Sequence, residues 1–93
     1  MVSYMSEAAN RIVGDVLRDI RHDMGMSQSQ VAARCGARQP FVSKVERGER
    51  ELSASEILPY AAALGISDER LYYEIHKALL AYARRRRAAK ESS

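Results

Sequence analysis

The chain has 93 residues, enough for one domain with a single modest core. Apolar residues make up 46% and charged residues 29%, the balance of a soluble globular protein. No apolar run comes near the ~20 residues of a membrane span, no signal-peptide pattern opens the chain, and a lone cysteine excludes a disulfide framework and fits a reducing cytoplasm.

In chain order, Met1–Met5 has no periodic pattern and is expected to fray. From Glu7 to Met24 the apolar residues Ala9, Ile12, Val13, Val16, Leu17, Ile20 and Met24 recur at steps of three and four. That spacing predicts a long amphipathic helix, with Ser6 as its N-cap and Gly25 as its end. Gly14 weakens its middle by roughly 1 kcal/mol relative to alanine. Met24 and Met26 read as core fillers, and Met26 precedes the next cap as a hydrophobic staple.

Ser27 and Gln30 have capping-box spacing, and Val31, Ala32 and Cys35 form one apolar face behind them. Gly36 stops this second helix, because glycine readily adopts the left-handed conformation past a helix end. A third helix opens at Arg38-Gln39-Pro40, where a proline in the first turn loses no intrahelical bond. Val42 and Val45 are its inner stripe and Gly48 its end. Two short helices around a glycine turn, over 27–48, form a helix-turn-helix pattern.

Ser53 and Glu56 form a second capping box, opening a helix through Ile57, Leu58, Ala61 and Leu64. Pro59 removes one hydrogen bond there, so a bend or an irregular first turn is expected. Gly65 closes that helix, and Ile66 returns to the core. Ser67 caps a last helix, with Asp68 and Glu69 near its positive dipole end. Its stripe is Leu71, Ile75, Leu79 and Tyr82, widened by Tyr72 and Leu80, and the pattern reaches about Arg87. Five helices and no strand make the chain all-α.

The net charge of +3 is unevenly spread. Residues 27–50 carry Arg34, Arg38, Lys44, Arg47 and Arg50 against only Glu46 and Glu49. The run Arg84–Arg87 with Lys90 makes residues 84–93 a basic tail after a body of 1–83, while the rest of the body is acidic. A protein that grips phosphates with one face carries its charge this way. Cys35 falls on the inward stripe, and His22 and His76 are isolated surface positions. No nucleophile–base pair and no metal-ligand spacing is present, so the chain reads as a non-enzyme with no metal and no cofactor.

Leu17–Leu71 resembles the lambda-repressor-like (Cro-type, XRE) helix-turn-helix domain of phage and bacterial repressors. The resemblance is carried by Arg21, Met24-Gly25-Met26-Ser27-Gln28, Val31-Ala32, Gly36, Phe41 through Gly48, and Ala63-Leu64-Gly65-Ile66. It implies a five-helix domain whose core is 17–73, here with an extended C-terminal helix, and double-stranded DNA as partner. Gln28 would bond a phosphate at a helix start. Gln39 would read a base edge, where glutamine matches the N6/N7 pair of adenine. Lys44 would reach guanine or a phosphate, with Ser43 beside it, and Arg47 and Arg50 would clamp the backbone. Arg38 stands where the family usually has a Ser/Thr cap, so either the cap is missing or Gln39 supplies it. Pro40 offers a base only apolar contact, and Arg38 itself can join the phosphate set. The family also pairs an arginine at Arg21 with a glutamate at Glu46, giving a partly buried ion pair.

The resemblance implies a sequence-specific transcription regulator, expected to be a repressor, in the bacterial or phage-infected cytoplasm at the nucleoid. The apolar pattern past Tyr73 would leave Ile75, Leu79, Leu80 and Tyr82 in water in a monomer, which points to a homodimer interface. Folding back onto Ile12 and Val13 of the first helix is the alternative, and both can hold. A rival function is an antitoxin or adaptor whose last helix holds another protein.

Overall fold

The computed structural model describes residues 4–92. They form five helices and, among the described residues, no strand: α1 Tyr4–Asp23, α2 Gln28–Cys35, α3 Gln39–Glu46, α4 Ala54–Leu64 and α5 Asp68–Ser92. The fold is therefore all-α, with a helix-turn-helix at α2–α3 and a long final helix.

Local chemistry sets most boundaries. The Ser27 backbone N–H donates to Gln30 Oε1 (2.7 Å), and the Gln30 N–H donates to Ser27 Oγ (3.1 Å). The Glu56 carboxylate likewise accepts from the Ser53 N–H (2.8 Å), and Ser67 Oγ accepts from the Arg70 N–H (3.1 Å). Gly36, with φ of 70°, sits left-handed where α2 ends and the turn begins. Arg38 makes no side-chain capping bond and Gln39 lies inside α3, so the cap is missing and Gln39 does not supply it.

Three boundaries differ from the sequence reading. α1 already includes Tyr4 and Met5, so Ser6 lies within the helix rather than capping it; Met1–Ser3, the rest of the segment expected to fray, lie outside the described residues. α4 runs unbroken past Pro59, α-helical through its first turn. α5 continues without interruption across 83/84 to Ser92, so the basic run is helix and not a separate tail.

Leu17, Val31, Val42, Val45, Tyr60, Leu64 and Leu71 are almost wholly buried and form one core, contributed by all five helices. Val13, Ile20, Met26, Cys35, Ile66 and Ile75 pack around it. Met24 does not: it is 46% exposed at the end of α1. Gly14 has a role that periodicity could not assign. A Cβ there would stand 2.4 Å from the Glu46 carbonyl oxygen, so glycine lets α1 cross directly over the end of α3. α1 also packs along α5, the alternative expected for the extension.

Candidate nucleic-acid interface

The end of α3 is held from below by a buried ion pair. Arg21 on α1 and Glu46 on α3 are 8% and 4% exposed, and the guanidinium meets the carboxylate with both arms: Nε to Oε2 at 2.6 Å, Nη2 to Oε1 at 2.9 Å. Its third nitrogen donates to the Met26 carbonyl (2.9 Å), tying in the turn before α2. The Glu46 hydrogen bond holds the Arg21 pKa above its ordinary value, so the guanidinium stays charged.

From this pair a chain of bonds leads to the surface. Gln28 Nε2 donates to Glu46 Oε1 (2.9 Å), and Gln28 Oε1 accepts from Gln39 Nε2 (2.6 Å). The Gln39 amide is thereby fixed in place, with its oxygen and one N–H left over. Those two groups are the acceptor and donor that the N6/N7 edge of adenine requires. The first-turn position of Gln39 leaves it exposed beside exposed Arg38 and Pro40, and Lys44 is exposed further along α3. Ser43 is half-buried and accepts from Arg47 Nη1 (2.5 Å).

The five cations of this segment are less equal than their count suggests. Arg34, though exposed, reaches α4 and donates to the Ala63 carbonyl near its end (3.3 Å). Arg50 grips both oxygens of Glu56 (2.6 Å each), donates to the Glu51 carbonyl and lies 5.0 Å over the Phe41 ring. Arg50 thus braces the loop against α4, with its Nε–H and one Nη2–H outside these bonds. These bonds hold the Glu56 carboxyl down to about 2. Arg47 pairs with exposed Glu49 (Nε to Oε2, 2.7 Å), an exchangeable surface pair. The side chains of Arg38 and Lys44 make no hydrogen bond or ion pair among the described residues.

Two cations were not singled out in the sequence. Arg11 and Arg18 of α1 line one open groove with Gln28, Ser43 and Arg47, together with the acidic Asp15, Glu46 and Glu49. Their i, i+7 spacing on the polar side of α1 was the available signal, but only the crossing at Gly14 brings that side beside α3. Arg18 is partly held by Asp15 (3.2 Å). Cys35 packs against the core, and burial pushes its thiol pKa up, away from thiolate chemistry.

The last helix divides the four residues expected at a dimer interface. Ile75 packs on the core, Leu79 and Tyr82 are half-buried on the inward side, and only Leu80 of the four is exposed, at 39%. Tyr72 and Tyr73 are more exposed, at 51% and 61%. The outward apolar face thus runs through Tyr73 and Leu80, while the stripe expected there faces the body. No described helix is long and apolar enough to cross a membrane.

Residues 12–71 match the family model described as a helix-turn-helix domain. The HTH-type transcriptional regulator y4dJ of Sinorhizobium fredii is 35% identical over 57 residues, 61% of this chain and 74% of that protein. An HTH-type transcriptional regulator of Mycobacterium tuberculosis is 41% identical over 59 residues, and the match spans 42% of its length. Among solved structures, the restriction-modification controller protein C.AhdI from Aeromonas hydrophila superposes with a TM-score of 0.66 and 37% identity, over 70% of this chain and 94% of that one. The controller protein C.Esp1396I, solved as a tetramer on its natural 35 base-pair operator, has a TM-score of 0.71 and 25% identity, over 77% and 95% of the two chains.

Proposed function

Because the chain belongs to the helix-turn-helix domain family, of the lambda-repressor-like (XRE) type, we propose that it binds operator DNA as a homodimer and acts as a transcriptional repressor at the bacterial nucleoid. The observation that carries this reading is the relay from the buried Arg21–Glu46 pair through Gln28 to Gln39. It positions one exposed amide at the start of α3, with the two groups an adenine edge needs free. A solvated surface glutamine has no need of three anchored bonds beneath it.

In this reading Gln39, Pro40, Ser43 and Lys44 face the major groove. Gln39 takes an adenine, Pro40 a thymine methyl, and Lys44 a guanine or a phosphate. Arg38, Arg47 and the start of α2 at Gln28 take phosphates, joined by Arg11 from α1. Arg47 gives up Glu49 to do so, which costs little because the pair is exposed. Two-fold pairing of two chains would set the two α3 helices about one DNA turn apart, roughly 34 Å. The relative C.Esp1396I binds its operator as a tetramer, which supports DNA and self-association as the two partners to test. The antitoxin or adaptor reading would use the same outward face of α5 for another protein.

The test is binding to a site selected from random DNA, compared with unselected duplex. Gln39→Ala should cost about 1–3 kcal/mol on the selected site and relax one base position. Arg38→Ala should weaken both duplexes alike and lower the salt slope by about one unit. Equal losses on both duplexes for Gln39→Ala would show that the base reader lies elsewhere.

A further inference from the structure

Three donors converge on the two oxygens of Glu46: Arg21 Nε, Arg21 Nη2 and Gln28 Nε2. A carboxylate so surrounded can only accept, so the end of the Gln28 amide that faces it, at 2.9 Å, has to be nitrogen. That choice passes outward. With its nitrogen on Glu46, Gln28 turns its oxygen toward Gln39, and the end of Gln39 that meets it, at 2.6 Å, has to be nitrogen too. An amide has nearly the same shape either way round, so packing does not choose between its two orientations. The relay therefore has a direction as well as a position, and the direction originates in a side chain that is only 4% exposed.

We infer that Glu46 and Gln28 decide which base Gln39 accepts, as positioning residues that touch no base themselves. The inference rests on the reading of Gln39 as the base contact and adds the direction of its amide. Adenine presents a donor at N6 and an acceptor at N7, in a fixed order across the groove. In the observed orientation Gln39 answers both, with its oxygen on N6–H and its remaining N–H on N7. Turned over, the same amide would set donor against donor and acceptor against acceptor, and both bonds would be lost. Guanine has an acceptor at O6 in place of the N6 donor, so it keeps one bond in either orientation. The buried carboxylate thus separates two bonds from one in favour of adenine, and reversal of the relay would favour guanine.

The test compares the selected duplex with one in which guanine replaces adenine at the position that Gln39→Ala relaxes. Affinities are read by fluorescence anisotropy, with circular dichroism to verify folding. Glu46 is needed by Arg21, so the relay is altered at Gln28. Gln28→Met removes both bonds and leaves the Gln39 amide free to turn; the adenine-over-guanine ratio should fall about fivefold or more. Gln28→Lys supplies a group that only donates, which satisfies Glu46 and draws the Gln39 oxygen inward. Its added charge should strengthen both duplexes alike, while the ratio falls below that of the Gln28→Met variant. Loss of packing alone would give the two variants the same ratio. A Gln28→Met ratio equal to wild type, or a Gln28→Lys ratio at or above that of Gln28→Met, overturns the inference and leaves Gln39 as the reader. If Gln39→Ala relaxes no position of the selected site, the base contact and this inference fall together.

Discussion

The start of α3 and the outward face of α5 are both exposed surfaces, yet they are built in opposite ways. Behind α3 lies a ladder of bonds that the chain makes with itself: Arg21 to Glu46, Glu46 to Gln28, Gln28 to Gln39. Along α5, Tyr73, Leu80 and Ala83 stand in water with no such support. The first surface is finished within one chain. The second is left apolar, and burial against another surface would finish it. Substitutions at the two places should accordingly fail differently, one in folding and one in association.

The largest effect is expected at Glu46. Glu46→Ala strips a buried guanidinium of its partner and should cost about 3–5 kcal/mol, since the surviving charge has nowhere to be solvated. Thermal unfolding would read this as a fall of Tm by tens of degrees; an unchanged Tm would mean that the ladder is ornamental. An intermediate effect is expected at Glu56, whose carboxyl Arg50 holds down to about 2. The folded-state pKa is depressed, so the stabilisation is present above the ordinary carboxylate range and is lost as pH falls from about 5 toward 2. Unfolding midpoints measured across that window should fall less steeply in Glu56→Gln than in the parent. The smallest stability change belongs to Leu80→Glu, within about 0.5 kcal/mol for the isolated chain, as for other surface positions. Its expected signature is loss of self-association at unchanged monomer stability, the reverse of Glu46→Ala. A large drop in stability there would mean that Leu80 is part of the core.

What the sequence made legible is what neighbouring residues decide. The capping boxes of Ser27–Gln30 and Ser53–Glu56, the turn at Gly36 and the inner stripe of Val42 and Val45 depend on contacts within a few positions. The Arg21–Glu46 pair was available only through the family resemblance, because 25 residues separate its members. Gly14 read as a weak point, since nothing local announces that α3 will pass 2.4 Å from where its Cβ would be. Counting the charges of 27–50 could not say which of them also brace the fold. Arg34 and Arg50 find Ala63 and Glu56 on α4, partners that proximity in the chain does not predict. The two apolar sides of α5 have a related origin. That helix is apolar on two opposite sides, so periodicity identifies both seams without saying which one the body takes.

The close crossing at Gly14 also has a mechanical meaning. α1 is notched onto the end of α3 there, with Gly48 pressed against the Arg11 backbone, and the same helix lies along α5. α1 is thus a strut joining α3 to α5. Hydrogen-bonded helix resists both stretching and twisting, and a notch without side-chain atoms leaves no slack at its end. In a pair joined through α5, the separation of the two reading helices would be set by this strut as by a ruler. Adjustment for an operator with a longer or shorter spacer would then fall on the DNA, which would have to bend or twist to meet a fixed span.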